Sequence, residues 1–395
     1  MALKFTQRMS RIGTEGAFEV LARAKALEKH GMRVVHLEIG EPDFPTPDNI
    51  IEAAIGALRS DYTHYTPAGG IGEVRETVAG FVSKRLGVEV EPGEVVLVPG
   101  SKNVLLFTLL ACVEPGDEVI LPDPGYPVYS SLVSFIEAKP VPIRLREDRG
   151  FRMDLEELAS LVTDKTRLLI VNTPQNPTGG VLTSEDVEFI SRLAQERDLL
   201  VLSDEIYSQI VYDGFQHTSL ISQPGTKERT VLLDGMSNAY AMCGWRLGYG
   251  VAPRELAASM ETLMINSSSC AAAFTQMAAI EALTSPESER AVGRMVAEFR
   301  SRRDIMVDGL NAIPGVSCVK PEGAFYAFPN ISQTGLDEQD LANRLLNQVG
   351  VAVLPGTAFG EGGRGYLRLA YTNSEDNIRE ALTRVGDFIA EATRQ

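Results

Sequence analysis

The sequence predicts an α/β protein with a mostly parallel central sheet covered by helices on both faces, joined to a smaller α+β part. Three observations carry this. First, strands at 141–145 and 167–171, and a third ending at Asp204, alternate with helical stretches at Leu155–Leu161 and 184–197, the order expected of a parallel sheet. Second, runs such as Val95-Val96-Leu97-Val98 are apolar without alternation, as in strands buried on both faces. Third, beyond about residue 291 short strands at 315–320, 325–328 and 351–354 surround a helix near 338–348.

Length and charge narrow the class. A chain of 395 residues is too long for one small core and predicts two closely associated domains. The boundaries expected are an N-terminal arm with part of the small domain over 1–44, a large domain over 45–290 and a small domain over 291–395. A formal net charge of −16 argues against nucleic acid and anionic membranes as partners. Cys112, Cys243, Cys270 and Cys318 lack metal or redox spacing and read as reduced, mostly buried thiols. The four histidines form no metal-spaced pair, so no metal site is expected. No signal-like or membrane-length apolar run is visible, and the cytoplasm is the expected location.

In chain order, Ala17, Phe18, Leu21, Ala24 and Leu27 give helical spacing over 15–30. A short strand follows, broken at Gly40 and Pro42. Tyr65-Thr66-Pro67-Ala68-Gly69-Gly70 precedes a helix over 72–85. The strand 95–98 ends in Pro99-Gly100-Ser101-Lys102, a glycine turn into a helix start. Backbone N–H groups at such a start bind phosphate, and Ser101 is suited both to cap the helix and to donate to the same phosphate. The strand 118–121 leads into Asp123-Pro124-Gly125-Tyr126-Pro127-Val128-Tyr129. Asn172-Thr173-Pro174-Gln175-Asn176-Pro177-Thr178-Gly179 and Ser203-Asp204-Glu205-Ile206-Tyr207 both fall at carboxyl ends of strands, where ligands of such sheets sit. An amphipathic helix over 287–311 links the two domains. In Tyr366-Leu367-Arg368-Leu369-Ala370, Arg368 lies between apolar neighbours, where an unpaired charge is costly and a carboxylate resolves it.

Ser237-Asn238-Ala239-Tyr240-Ala241-Met242-Cys243-Gly244-Trp245-Arg246 resembles the cofactor-lysine segment of the class I and II aminotransferases, fold-type I enzymes that use pyridoxal 5′-phosphate (PLP). With Asn-Pro-Thr-Gly at 176–179, Ser-Asp-Glu-Ile-Tyr at 203–207 and Tyr-Leu-Arg-Leu at 366–369, the resemblance runs from Gly40 to Arg368. It implies the fold-type I architecture and a homodimer with shared active sites. Gly100, Ser101, Lys102, Ser237 and Arg246 would lie at the cofactor phosphate, joined by Tyr65 from the partner subunit. An aromatic ring at about Tyr126 would lie flat on the pyridine, with Tyr129 as the alternative. Asp204 would keep the pyridine nitrogen protonated, and Asn176 and Tyr207 would bond the ring oxygen. Gly40, Asn176 and Arg368 would meet the substrate carboxylate.

One landmark differs. The resemblance places the Schiff-base lysine at position 238, and this chain has Asn238. An amide nitrogen is delocalised into its carbonyl. It hydrogen-bonds, but it neither forms an imine with PLP nor acts as a base near neutral pH. Losing the proton shuttle alone costs roughly 10²–10⁴ in rate. The expectation is an aminotransferase-type protein for an L-amino acid and 2-oxo acid pair. It should hold PLP, pyridoxamine phosphate or a PLP–amino acid external aldimine, not linked to lysine, without normal turnover. Two alternatives stay open: lysine-free PLP chemistry of lyase, oxidase or cyclase type, and a non-catalytic PLP-binding protein. No arginine near 13–18, 36–44 or 266–274 is an evident reader of a second carboxylate, which favours neutral substrates over aspartate.

Overall fold

Thirteen strands and twelve α-helices make up the chain; the computed structural model describes residues 3–394. The strands are β1 (Val35–His36), β2 (Val95–Val98), β3 (Glu118–Asp123), β4 (Lys139–Arg146), β5 (Arg152–Met153), β6 (Thr166–Asn172), β7 (Leu200–Asp204), β8 (Thr230–Gly235), β9 (Gly248–Val251), β10 (Tyr326–Ala327), β11 (Val351–Ala352), β12 (Leu354–Pro355) and β13 (Leu367–Ala370). Eight form one sheet in the order β2-β9-β8-β7-β6-β3-β4-β5. From β8 through β4 all pairs are parallel, while β9, β2 and β5 add antiparallel edges. The mostly parallel sheet is therefore present, with more antiparallel pairing than strand–helix alternation alone suggests.

The unbroken apolar runs arise because both faces are covered. Leu168 and Ile170 of β6 face a cluster with Val104, Leu105, Tyr129 and Met260, supplied by helices Lys102–Cys112, Pro127–Phe135 and Arg254–Ser267. Leu169 and Val171 face the opposite cluster with Val187, Ile190 and Leu193 of helix Ser184–Glu196. That helix starts at a capping box, in which Thr183 and Asp186 satisfy each other's backbone N–H.

Two smaller sheets accompany this one. Strands β10-β13-β12 pair antiparallel, and β1 pairs with β11 in parallel. Helix Pro286–Asn311 contributes Phe299, Met306 and Leu310 to a third cluster. That cluster also holds Val74 and Val78 of helix Gly72–Leu86 and residues of the last helix, Glu375–Ala392. The expected strand at 315–320 is absent. Ser317 makes a single bridge to Asn330, and the Asn311 side chain takes up the Cys318 backbone N–H at 2.8 Å and carbonyl at 3.2 Å, leaving little for a ladder. The expected helix at 338–348 divides into an α-helix, Glu338–Arg344, and a π-helical turn, Leu345–Val349, which buries Leu345 and Leu346 side by side. Among the described residues no helix is long and apolar enough to cross a membrane.

Register sets the site. Asn172 is level with Asp204, and Asp204 with Leu233, so the carboxyl ends of β6, β7 and β8 open at one edge. Ile170, fully buried between β3 and β7, holds that alignment. Ile170→Ala should cost about 2–5 kcal/mol, measured as a lower urea midpoint.

Candidate active site

A cavity of about 900 Å³ opens at the carboxyl ends of these strands. Its walls include Gly40 from the segment after β1, Ser101 and Lys102 after β2, and Tyr126 after β3. Asn176 follows β6, Asp204 ends β7 and Tyr207 follows it, Ser237, Asn238 and Arg246 follow β8, and Arg368 lies on β13. One cavity thus joins residues spread over more than 300 positions. Two expected residues do not line it. Gly100 stands behind its wall, and Tyr65 is 89% exposed elsewhere on this chain.

At one end the backbone is cut for a close approach. Gly100 has φ +84°, and a Cβ there would lie 2.1 Å from the Arg246 guanidinium; a Cβ on Gly248 would lie 2.5 Å from the Ser101 nitrogen. The turn therefore brings the start of helix Lys102–Cys112, with its free N–H groups, against Arg246. Ser101 does not cap that helix. Its backbone is itself helical, at φ −59° and ψ −22°, and no cap hydrogen bond forms, so its hydroxyl remains available to the cavity. Arg246 is exposed rather than partly buried as its apolar neighbours suggest, and bonds only the Cys243 carbonyl, at 2.9 Å. Lys102 pairs with Glu15 and sits 5.5 Å over the Tyr126 ring.

At the end of β7, two neighbouring carboxylates meet opposite fates, of which only Asp204 lines the cavity. Glu205 is buried, but it accepts bonds from Ser203, Ser219 and His217. Burial pushes its pKa up, and the His217 contact and these hydrogen bonds outweigh that and hold it below the usual range. Asp204 is equally buried and has no cation. Burial pushes it up to about 6, against hydrogen bonds from the Tyr129 hydroxyl at 2.6 Å and the Ile206 N–H at 3.3 Å. No helix starts at Asp204, so it is not a helix cap. Asn172, whose amide donates to the Asp204 carbonyl at 3.1 Å, ties β6 to β7 at this point.

At the other end, Arg368 is 4% exposed and has no carboxylate partner among the described residues. It donates to the Glu38 carbonyl and, at 3.4 Å, to the Asn176 side-chain oxygen; its Nε has no partner. The rings of Tyr326 and Phe359 lie 4.6 and 5.0 Å from the guanidinium carbon. Burial lowers its basicity. The structural ion pair that would explain a buried arginine is therefore not made, and the cavity presents a guanidinium face to an incoming anion.

Tyr126 and Tyr129 divide the work that sequence alone left between them. Tyr126 lines the cavity broadside to Lys102, whereas Tyr129, fully buried, reaches Asp204. Tyr326 was not legible as a site residue. It lies in an aromatic strand that reads as core, yet its hydroxyl meets that of Tyr207 at 2.8 Å, and a Cβ on Gly40 would fall 2.0 Å from it. Cys318 alone of the four cysteines is fully buried; the others are half-buried and all are free. No cluster of metal-ligating side chains occurs among the described residues.

The Asn238 side chain faces the same cavity, 7% exposed, and hydrogen-bonds to no other described residue. The turn around it is fixed by the Ser237 carbonyl, which accepts the Met242 N–H at 3.0 Å and the Cys243 thiol at 3.2 Å.

The family model for aminotransferase class I and II matches residues 32–385. The chain belongs to that family. It is 41% identical over 367 residues to an aspartate aminotransferase of Pyrococcus horikoshii, covering 93% of this chain and 92% of that one. An aromatic-amino-acid aminotransferase 2 of Thermococcus litoralis is 40% identical, with 91% and 92% covered. The solved aspartate aminotransferase from Thermus thermophilus with maleate superposes with a TM-score of 0.94 at 37% identity, over 98% of this chain and 100% of that one. The architecture is accordingly that of the fold-type I, PLP-dependent aminotransferases, and PLP is the cofactor expected of this family.

The cavity fits such a group. A glycine-shaped helix start beside an arginine suits a phosphate, an uncompensated buried aspartate suits a protonated ring nitrogen, and an arginine with an orphaned N–H suits a carboxylate. Asp204 carries a signature that appears without any ligand. Its folded-state pKa lies above the unfolded one, so below about pH 4 it costs little, and stability falls as pH rises from about 4 to about 6, where the unfolded chain ionises while the buried carboxyl stays protonated. Asp204→Asn should remove that loss, making the cofactor-free variant more stable at pH 7 relative to the unaltered chain by of order 3 kcal/mol more than at pH 4. Chemical denaturation at the two pH values measures it. The same variant should bind PLP far more weakly.

Proposed function

We propose that this aminotransferase-family chain binds PLP or pyridoxamine phosphate without a covalent link, together with an amino acid or 2-oxo acid, and does not turn over normally because residue 238 is asparagine. The observation that carries the reading is the coexistence in one cavity of a carboxylate and a guanidinium, both buried and both unpaired, around a side chain that lacks an amine. An open buried charge is costly, and a cofactor–substrate pair supplying a ring cation and a carboxylate would compensate both.

When bound, PLP supplies an aldehyde that captures amines and a ring that draws electrons from the adjacent carbon. Gly100, Ser101, Ser237 and Arg246 hold the phosphate on this reading, and Tyr65 would join them from a partner subunit. Its exposure away from its own cavity supports that placement and a homodimer. Lys102, held by Glu15, fixes Tyr126 against the flat face of the ring. Asp204 Oδ2, steadied by Tyr129, keeps the proton on the ring nitrogen. Tyr207 donates to the ring oxygen, and Asn176 bonds both that oxygen and the substrate carboxylate. Arg368 grips the carboxylate beside Gly40, where only a glycine leaves room next to Tyr326. Asn238 replaces the group that would exchange partners and carry the α-proton. The L-amino acid and 2-oxo acid pair follows from the aspartate and aromatic-amino-acid aminotransferases among its relatives. The division at 45–290 and 291–395 and a cytoplasmic location belong to the same reading.

The unaltered chain should bind PLP with the absorbance of the free aldehyde. Asn238→Lys should instead develop the visible band of lysine-bound cofactor and gain amino transfer by at least about 100-fold. A lysine variant without that band would refute the reading. Sustained product formation by the unaltered chain would mean that another residue handles the proton.

A further inference from the structure

We infer that the cavity end beside Arg368 selects a monocarboxylate with an uncharged, apolar side chain and discriminates against dicarboxylates, with Phe18 and Leu21 as the residues that set the preference. The inference rests on the proposed function and adds the substrate class.

The argument is an account of the cavity's cations. Lys25, His36, Lys102, Arg246 and Arg368 are the basic residues lining it. Three are already engaged. Lys25 pairs with Glu28 at 2.9 Å, His36 lies between Glu28 at 3.1 Å and Glu38 at 2.8 Å, and Lys102 pairs with Glu15. Arg246 stands beside Gly100 at the opposite end. Arg368 is left, and one guanidinium takes one carboxylate. A second carboxylate on the ligand would have no cation to meet. It would instead enter a wall that carries the carboxylate of Glu41, beside Glu15 and Asp43, which are already bound to Lys102 and, at 2.7 Å, to Arg302. Like charge and lost hydration then act together against it.

Apolar side chains also line this end. Ala17, Phe18 and Leu21 project from helix Gly16–Lys29, and Ile39 lies beside Gly40. A Cβ on Gly16 would sit 3.8 Å from Ala358, the neighbour of Phe359, whose ring packs on Arg368, so this helix start borders the carboxylate end. Phe18 is 59% exposed in the free chain, a large ring at the mouth with its surface still to be buried. A ligand side chain laid against it removes apolar area from water on both partners.

The test uses unreactive carboxylates on the full chain, so no turnover is needed. 3-Phenylpropionate and succinate are titrated calorimetrically against the PLP-loaded protein and against the cofactor-free protein. Phenylpropionate should bind at least about tenfold more tightly than succinate. Phe18→Arg supplies the missing cation on an exposed position and should move the ratio toward succinate by about tenfold, whereas the same charge at exposed Leu110, outside the cavity, should not. Succinate binding as tightly as phenylpropionate, no binding of either, or an unmoved ratio in Phe18→Arg would overturn the inference. Failure of PLP to bind, with the preference intact in the cofactor-free chain, would overturn the proposed function instead.

Discussion

Two buried ionisable groups of opposite sign, neither in a salt bridge among the described residues, govern this site. Asp204 ends a central strand and Arg368 lies within β13 of a smaller sheet, and hydrogen bonds hold each in place without an opposite charge beside it. Tyr129 donates to Asp204 without cancelling its charge. A backbone carbonyl and an amide oxygen accept from Arg368, again without cancelling it. The contrast with Glu205 is instructive, because one residue along the chain the same burial is fully compensated by two serines and a histidine. The protein can neutralise a carboxylate at that depth, and at Asp204 it does not.

The rest of the architecture serves these two positions. The parallel core of the sheet brings Asn172, Asp204 and the Ser237–Asn238 turn to one edge. Antiparallel β9 then folds back so that Gly248 lies against Ser101 and closes the phosphate-shaped end. Strand β13 carries Arg368 across from the C-terminal part, sandwiched between Tyr326 and Phe359. Aromatic faces around a guanidinium keep its charge attractive to anions while excluding water.

Asn238 stands in this arrangement as a polar amide facing the cavity. The Ser237 carbonyl closes the turn that holds it, and Ala241 and Arg246, both after it in the chain, have left-handed backbone. The binding geometry is thus separable from the nucleophile. A polar amide without a protein partner still suits a ligand that brings its own hydrogen bonds.

Much of this was legible in one dimension, for a physical reason. Sheet strands buried on both faces must be apolar, and the turns at their ends must carry the residues that approach the ligand, so strand and motif announce each other. Asp204 and Asn176, which line the cavity, were placed at strand ends in that way. The smaller part was less so. Its strands are only two to four residues long, too short for periodicity to speak, which is why a strand was expected at 315–320 and a single helix at 338–348. Burial and pairing were decided only by the tertiary structure. Sequence cannot show that Arg368 lacks a carboxylate, that Ser101 leaves its helix uncapped, that Tyr129 rather than Tyr126 reaches Asp204, or that Tyr326 leaves the core to meet Tyr207. Each depends on which groups, distant in the chain, come within about 3 Å of one another. The sequence alone determined the class of fold, the place of the cavity and the identity of the residue at 238. Contacts across the chain decided which charges in that cavity stay open.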